Sequence, residues 1–511
     1  MVREEKPKPK SSPTHRPTEV ERCRWLRRVD WRFLIDDGSL GSVVTTASGD
    51  LWHALNLVAA NVSRPGAANT DFDVAVAVDP PSQDLTALWL ELKAGGTLFA
   101  EWRTARPFGQ STWLKRVAAA GFADVRSYWA WPPFHQDNPR VWLPLDAPHA
   151  VRHYLAQQSA ELRSQAAMRL AWMLLWKLGW LAGICVLAKK SEPSAGAYPM
   201  PVRILLTRGA AASNKVVALE FNASSKQPDT ATKHARVPES HPGLINEANV
   251  LSALNTEPPL PGVPRLVAVE QSPSTVSVTE TALSGVALDL PVIRRRFLAI
   301  AQAATDWLIA LAQRTLSAPS PAHQDDYVDD AVAAFQRVLP DCVSHATLLD
   351  ATQRRLKTLG SLLRVAEQRD FSPWNVFLNP HGGCTVFDWE SAVLKGMPGL
   401  DLIYFLTHLA LFRSNAMDQD RSLAAYIETW DPRSQIGGIV HESLHRYGSG
   451  VGTDLDWDAL RLLTWVIHAP NEQYRRERSG QVGDGPLMRF FRFEQARLIG
   501  GAAGRTGPRT A

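Results

Sequence analysis

Cysteine is scarce: Cys23, Cys185, Cys342 and Cys384 are four in 511 residues, with no CxxC pair and no spacing typical of zinc ligands. A disulfide scaffold and a structural zinc are therefore excluded as organising devices, and a reducing cytoplasm is the expected compartment. An excess of one charge is missing too. The chain has 55 Lys/Arg against 51 Asp/Glu, for a net charge of +4. Residues 1–28 alone hold nine basic and four acidic side chains, so the remaining body is close to neutral. It shows no basic stripe, and nucleic acid is not an expected partner. The first 20 residues lack the apolar core of a secretory signal. Long uninterrupted apolar runs are absent as well. Residues 170–188 come nearest, but Lys177 sits near the middle and Gly179 and Gly183 divide the run. A charge at mid-bilayer is costly, so the segment reads as a buried helix entering a strand at 184–187, and a membrane is not expected. No internal repeat is visible.

What is present fits a globular protein: 45% hydrophobic and 21% charged residues, long enough for two or three domains at roughly 100–200 residues each. Residues 1–24, rich in Lys, Pro and Ser, read as a disordered basic tail. A Pro-, Ser- and Gly-rich break at 191–202 separates a region at 25–190 from one at 203–500, and 501–511 read as a second disordered tail.

In the first region short apolar runs alternate with helical stretches. Strands are expected at 42–46, 73–78, 96–102 and 123–128, with helices at 51–61, 85–92 and 112–120. That alternation predicts an α/β domain with a parallel sheet covered on both faces. The runs Phe72-Asp73-Val74-Ala75-Val76-Ala77-Val78, Leu92-Lys93-Ala94-Gly95-Gly96-Thr97-Leu98 and Ala120-Gly121-Phe122 resemble the later half of a Rossmann-type S-adenosylmethionine-dependent methyltransferase. In that family a Gly-x-Gly loop after the first strand admits the cofactor. Here Val43-Val44-Thr45-Thr46-Ala47-Ser48-Gly49-Asp50 offers one glycine, so the methyltransferase-like domain reads as degenerate and S-adenosylmethionine is not an expected cofactor.

The densest chemistry lies at 368–401. Val376–Leu378 and Thr385–Phe387 read as strands of a hairpin with Asn379-Pro380-His381-Gly382-Gly383-Cys384 between them. A turn centred between His381 and Gly382 would set Asn375 opposite Asp388, with Cβ atoms ~4.5–5.5 Å apart. An amide oxygen and a carboxylate at that spacing suit Mg²⁺, a hard cation. Asp370, five residues before Asn375, is placed to face a substrate hydroxyl. Phosphoryl transfer asks the protein for positioning, charge neutralisation and a group that orients the nucleophile, and three such residues supply them.

Asp370, Asn375, Asp388-Trp389-Glu390 and Gly396-Met397-Pro398-Gly399-Leu400-Asp401-Leu402 resemble the aminoglycoside phosphotransferase family, relatives of the protein kinases. That family reads His-Gly-Asp-x-x-x-x-Asn, then Ile-Asp-Trp-Glu, then Gly-x-Pro-x-x-Asp-Leu. The resemblance implies an α+β bilobal protein-kinase-like domain over 203–500 that uses ATP and Mg²⁺. It makes Asp370 the catalytic group and Asn375 with Asp388 the metal ligands, while Asp401 ties the following helix to the core. Upstream, Lys233 matches the lysine that grips the α/β-phosphates and Glu247 its partner on the next helix. The strand and hinge at 276–285, with Glu280, fall where backbone groups meet adenine. Gln368-Arg369 replace His-Gly: a Gln still hydrogen-bonds, while Arg369 either lowers the basicity of Asp370 or meets an acidic substrate. The expected activity is transfer of the ATP γ-phosphate to a hydroxyl of a small molecule of the sugar, aminoglycoside or amino-alcohol class. The alternatives are a non-catalytic nucleotide-binding scaffold, or methyl transfer by the first region with the second supplying recognition.

Overall fold

The structure, a computed structural model, describes residues 18–35, 38, 40–66, 71–103, 109–133, 138–157, 183–190, 201–207, 214–222, 225–272, 275–318, 326–338, 346–359, 362–379, 381–417, 419–478, 481 and 483–500. The helical half of 170–188, nearly all of 191–202, Cys342 and both outer tails lie outside them. The chain divides into two compact units, one of residues 1–152, 172–241 and 270–277, the other of 153–171, 242–269 and 278–511. No described helix is long and apolar enough to cross a membrane.

The first unit is built on ten described strands: β1 (Ser42–Thr45), β2 (Asn61–Ser63), β3 (Phe72–Val78), β4 (Leu92–Trp102), β5 (Phe122–Trp131), β6 (Val141–Pro144), β7 (Ile184–Lys190), β8 (Val202–Leu206), β9 (Val216–Phe221) and β10 (Thr230–His234). They lie in the order β10-β9-β8-β6-β5-β7-β4-β3-β1-β2. Only β2-β1-β3-β4 are parallel, with helices Asp50–Val58 and Ser82–Glu91 as their crossovers. The wholly parallel sheet expected from the alternation is thus corrected to a mixed one. β7, the β-branched end of the 170–188 run, enters between β4 and β5 and runs antiparallel to both, pairing Ala100 with Val186 and Tyr128 with Cys185. Its first five residues are buried, as a strand covered on both faces requires. The β5–β6, β8–β9 and β9–β10 connections are too short for the crossovers that parallel pairing needs, and these strands pair antiparallel. β8 pairs with β6, Trp142 opposite Leu205, so the strands on either side of 191–202 share one sheet.

The tail yields to structure earlier than its composition suggests. Helix Glu19–Arg28 starts inside the 1–24 stretch because Thr18 caps it: Thr18 Oγ1 accepts from Glu21 N (3.3 Å) and the Glu21 carboxylate accepts from Thr18 N (2.9 Å). The turn that follows drops Trp31 onto Phe99 of β4, rings stacked with centroids 4.1 Å apart. Buried charge accompanies this packing. Asp30 accepts two hydrogen bonds from Arg236 at 2.9 Å, both side chains fully buried, and Arg32 donates to Arg236 O (3.0 Å).

At the carboxyl ends of the parallel strands, where an open α/β sheet admits ligands, several described polar side chains bond to the chain itself. Arg64 donates to Thr45 O (3.3 Å) and to Ala47 O, with its guanidinium 4.2 Å from the Trp52 ring centroid. Glu101 at the end of β4 is buried against Arg28 and accepts from Arg103 Nε (2.9 Å). Asp79, beyond β3, accepts from Arg103 N (3.1 Å).

The second unit is mainly helical, with helices at His241–Leu254, Leu290–Thr315, Asp326–Val338, Ala346–Lys357, Leu400–Ser414, Gln419–Trp430, Gln435–Val451, Trp457–Arg478 and Pro486–Gln495. Helix Leu400–Ser414 is buried on all sides through Leu411, as its nearly unbroken apolar sequence demands. Gly399, at φ +89°, opens it at a point where a Cβ would stand 2.7 Å from the Trp457 ring. Two small sheets lie against this core: Val286–Ala287 with Val376–Leu378 and Cys384–Val386, and Val365–Glu367 with Val393–Gly396.

Removing one member of a fully buried ion pair leaves the other charge without compensation, typically at a cost of about 3–5 kcal/mol. Asp30→Ala is therefore expected to lower the unfolding free energy by that order, read as a fall in the urea midpoint followed by Trp fluorescence.

Candidate functional site

Strand Val365–Glu367 delivers the chain to Gln368-Arg369-Asp370. Arg369 takes the left-handed conformation at φ +63°, which costs a non-glycine residue about 1–3 kcal/mol. The Asp401 carboxylate offsets it by accepting from Gln368 N (2.6 Å) and Arg369 N (3.0 Å). Beneath the turn, the buried Glu367 carboxylate accepts from Tyr327 OH (2.7 Å), Arg369 Nε (3.3 Å) and Met397 N. Burial first, then the Glu367 charge, pushes the Asp401 carboxyl above the ordinary range. Asp401 thus ties the helix that it opens to the loop before Asp370. Arg369 is drawn inward: it pairs with Glu367 and lies 5.2 Å from the Tyr327 ring centroid.

Gln368, fully buried, holds two segments together. Its Oε1 accepts from Asp370 N (2.8 Å), while its Nε2 donates to Phe387 O (2.9 Å) and Asp388 O. One amide therefore sets the backbone of Asp370 against the backbone of Asp388. Asn375 completes the group by donating Nδ2 to Asp370 O (3.0 Å) and Asp370 Oδ2 (2.8 Å). No hydrogen bond among the described residues uses its Oδ1, the amide atom able to ligate a hard cation.

The hairpin forms, but its register differs by one residue from the expected one. Val376 pairs with Val386, Phe377 with Thr385 and Leu378 with Cys384, so Asn375 faces Phe387, whose N donates to Asn375 O (2.9 Å). The cause is the Asn379 side chain, which accepts from His381 N (2.9 Å) and Gly383 N (3.0 Å) and closes a five-residue loop centred on His381. A one-residue slip exchanges the faces of a strand. Asp388 consequently leaves the ladder and turns through a left-handed conformation at φ +65°. The two residues are brought to one place by Gln368 and this turn rather than by cross-strand pairing.

Electrostatics mark Asp370. Burial and then the Asp388 charge push its carboxyl up to about 7, opposed by the Asn375 hydrogen bond and the Arg475 charge, with Glu390 adding to the rise. Asp370, Asn375 and Asp388 therefore share one neighbourhood. Glu247, buried on helix His241–Leu254, accepts from Trp389 N at 2.8 Å with Oε1, and Asn246 donates to Glu390 O and Ala392 O, both at 2.9 Å. Glu280 lies buried on strand Val276–Thr281. Lys233 belongs to the first unit, buried on β10 opposite Val217.

Several contributors carried no sequence signal. Glu367 and Tyr327 support the loop from below, and Arg475 reaches Asp370 electrostatically from helix Trp457–Arg478, more than a hundred residues downstream. Among the described residues no group of three or more His, Cys, Asp and Glu side chains could hold a metal on its own.

With the geometry in hand, comparison with known proteins gives one family match: residues 207–436 match the phosphotransferase enzyme family. Residues 207–436 are thus similar to that family, in line with the expectation for the C-terminal part; the match does not extend to the region read as methyltransferase-like. A search of curated proteins finds no match. Among solved structures, an aminoglycoside phosphotransferase APH(3'')-Id from Streptomyces rimosus in complex with ADP and streptomycin is 17% identical, covering 49% of this chain and 88% of that one, with a TM-score of 0.33. A thermostable mutant of aminoglycoside phosphotransferase APH(4)-Ia in ternary complex with AMP-PNP and hygromycin B is 14% identical, covering 60% and 94%, with a TM-score of 0.38. A type VIII aminoglycoside-3'-phosphotransferase is 19% identical, covering 54% and 91%, with a TM-score of 0.31.

Gln368→Leu keeps the volume and strands three half-buried backbone groups, each worth up to about 1–3 kcal/mol when left unsatisfied. Chemical denaturation of the variant is expected to show a loss of at least that order, whereas a polar replacement by His should recover part of it.

Proposed function

We propose that this chain is an ATP-dependent phosphotransferase that moves the γ-phosphate to a hydroxyl of a small molecule. The observation that supports this most is the Asn375 amide bound to the Asp370 carboxylate, with Asp388 locked beside them through Gln368. In the reaction the bond from the γ-phosphorus to the ADP oxygen breaks and a bond to the acceptor oxygen forms. The hydroxyl proton passes to Asp370, which first aligns the attacking oxygen and later releases the proton to water.

Mg²⁺ suits the donor set, because it binds through one or two protein oxygens together with substrate phosphates. Asn375 Oδ1 and the Asp388 carboxylate would hold it, and when bound it neutralises phosphate charge. Lys233 is assigned to the phosphates with Glu247 as its partner, and Glu280 to the nucleotide side of the hinge. The hydrogen bond from Asn375 keeps the Asp370 carboxylate fixed, so that its reach toward an acceptor oxygen is set before substrate arrives.

For the first unit we propose a methyltransferase-like sheet kept for structure. The parallel strands β2-β1-β3-β4 supply the core of such a fold, and at their carboxyl ends Arg64, Arg28 and Glu101 are bonded to the chain itself. Buried, mutually paired charges are hard to displace, since a ligand would have to replace every lost hydrogen bond.

Two measurements check these readings. Asp370→Asn is expected to lower kcat by at least about 10²-fold, the scale of a positioned acid–base group, while Mg²⁺-dependent ATP binding by calorimetry stays within a few-fold of wild type; transfer at the wild-type rate removes the assignment. Titration of the full chain with S-adenosylmethionine is expected to give no binding heat, and a micromolar isotherm would show that the crevice opens.

A further inference from the structure

The strand that carries Lys233 has two faces, and the first helix and turn of the chain close one of them. β10 pairs antiparallel with β9, Lys233 opposite Val217 and His234 opposite Val216. β9 in turn sets Val217 opposite Leu206 and Ala218 opposite Leu205 of β8. Directly opposed residues share a face of the sheet and successive residues alternate between faces. Lys233, Val217 and Leu206 therefore lie on one face, while His234, Val216, Ala218 and Leu205 lie on the other. That second face is covered: Leu205, Val216 and Ala218 share a buried cluster with Trp31 and Phe33.

The covering segment also follows the chain onward from Lys233. Phe33 stacks on the His234 ring, centroids 5.0 Å apart. Asp30 accepts from Arg236 Nε and Nη2, both at 2.9 Å, and Arg32 donates to Arg236 O (3.0 Å). Cys23 and Leu26 pack with Val237, and Arg22 pairs with Glu239 at 2.9 Å. Arg236 extends the hold to the neighbouring strand, since its Nη1 donates to Asn214 O (2.8 Å), two residues before β9 begins. Positions 234, 236, 237 and 239 are thus each held by residues 22–33, and all of them belong to the first unit.

These contacts differ in strength. The Arg22–Glu239 pair is solvated and contributes little. The Asp30–Arg236 pair is fully buried and joined by two parallel hydrogen bonds, so neither partner can shift without leaving a charge uncompensated. Burial, with Arg203 and Arg32 adding to it, holds the His234 imidazole down at about 3, and the ring under Phe33 is neutral. A lysine ammonium is a point charge on a flexible stem, so where it can reach depends on where its strand sits.

We infer that Asp30 and Phe33 are positioning residues for nucleotide binding: by holding Arg236 and His234 from the covered face, they set the place of β10 and with it the point at which Lys233 meets the phosphates of ATP. The inference rests on the reading of Lys233 as the phosphate-binding lysine. It gives the segment ahead of the first strand a part in the reaction without contact with any reacting atom.

The test uses the full chain and reads ATP affinity by calorimetry with Mg²⁺ beside steady-state kinetics, at temperatures where each variant is folded. Asp30→Asn keeps the volume and removes the charge. It should weaken ATP binding and raise KM for ATP by about 10-fold, part of the scale of a charge-assisted hydrogen bond, with kcat at saturating ATP and KM for the acceptor little changed. Phe33→Leu should shift the same two quantities in the same direction by less, and decides the matter if Asp30→Asn does not fold. Val74→Ala, in the same buried cluster but on β3, should lower the urea midpoint and leave ATP affinity at the wild-type value. Lys233→Met should itself weaken ATP binding, and in that background Asp30→Asn or Phe33→Leu should add nothing further, because both act through the lysine. A fall in urea midpoint with unchanged ATP affinity in Asp30→Asn and Phe33→Leu overturns the inference and leaves phosphotransfer standing. An equal further loss in the Lys233→Met background overturns it as well, since the route would then bypass the lysine. ATP binding by Lys233→Met at the wild-type level removes the reading of Lys233 and this inference together.

Discussion

The arrangement of the second unit depends on how a single buried amide is shared. Gln368 receives the backbone N–H of Asp370 on one side and gives its own hydrogens to the carbonyls of Phe387 and Asp388 on the other. Both segments are locally unfavourable, since Arg369 and Asp388 each adopt a left-handed backbone that most residues avoid. Such conformations persist where surrounding contacts over-determine them. Here the contacts are the Gln368 amide from within and the Asp401 carboxylate at two successive N–H groups. Loop, hairpin and following helix are fixed by side chains whose polar atoms have no water to turn to, and that is how a site made of three short segments stays in register.

The first unit follows a different logic. Its sheet begins as four parallel strands with helical crossovers and ends as a run of antiparallel neighbours, joined through β7. The polar content that an open α/β sheet would offer to a ligand is used on the chain itself, in the Arg28–Glu101 pair and in the Arg64 contacts to Thr45 and Ala47. Asp30 and Arg236, 206 residues apart, show the same habit. Each is a charge that only its partner makes tolerable in the interior, so each pair fixes which segments lie together.

Much of this was legible in the sequence where the signal is local. Short apolar runs marked β3 and the two strands of the hairpin, and the spacing of Asp370, Asn375 and Asp388 picked out three residues that share one neighbourhood. What escaped depended on partners distant along the chain. Nothing near residue 184 tells a strand which neighbours it will join or in which direction, and β7 ran opposite to both. The hairpin register turned on one side chain, since Asn379 bonding to His381 N and Gly383 N lengthened the loop by a residue. The sequence named Arg369 as a neighbour of Asp370, yet its direction is set by Glu367, buried two residues earlier. Arg475 lies beyond any window in which a motif could be read.

The hydrogen bonds from Asn246 and Glu247 to residues 389–392 carry a mechanical consequence. Two adjacent positions on one helix grip a short stretch immediately after Asp388 at its backbone. A tether of this kind acts on the path of the chain: it pins the backbone of 389–392 whatever the side chains there do. Any tilt of helix His241–Leu254 must therefore drag the Asp388 turn along with it, and the two will behave as one lever.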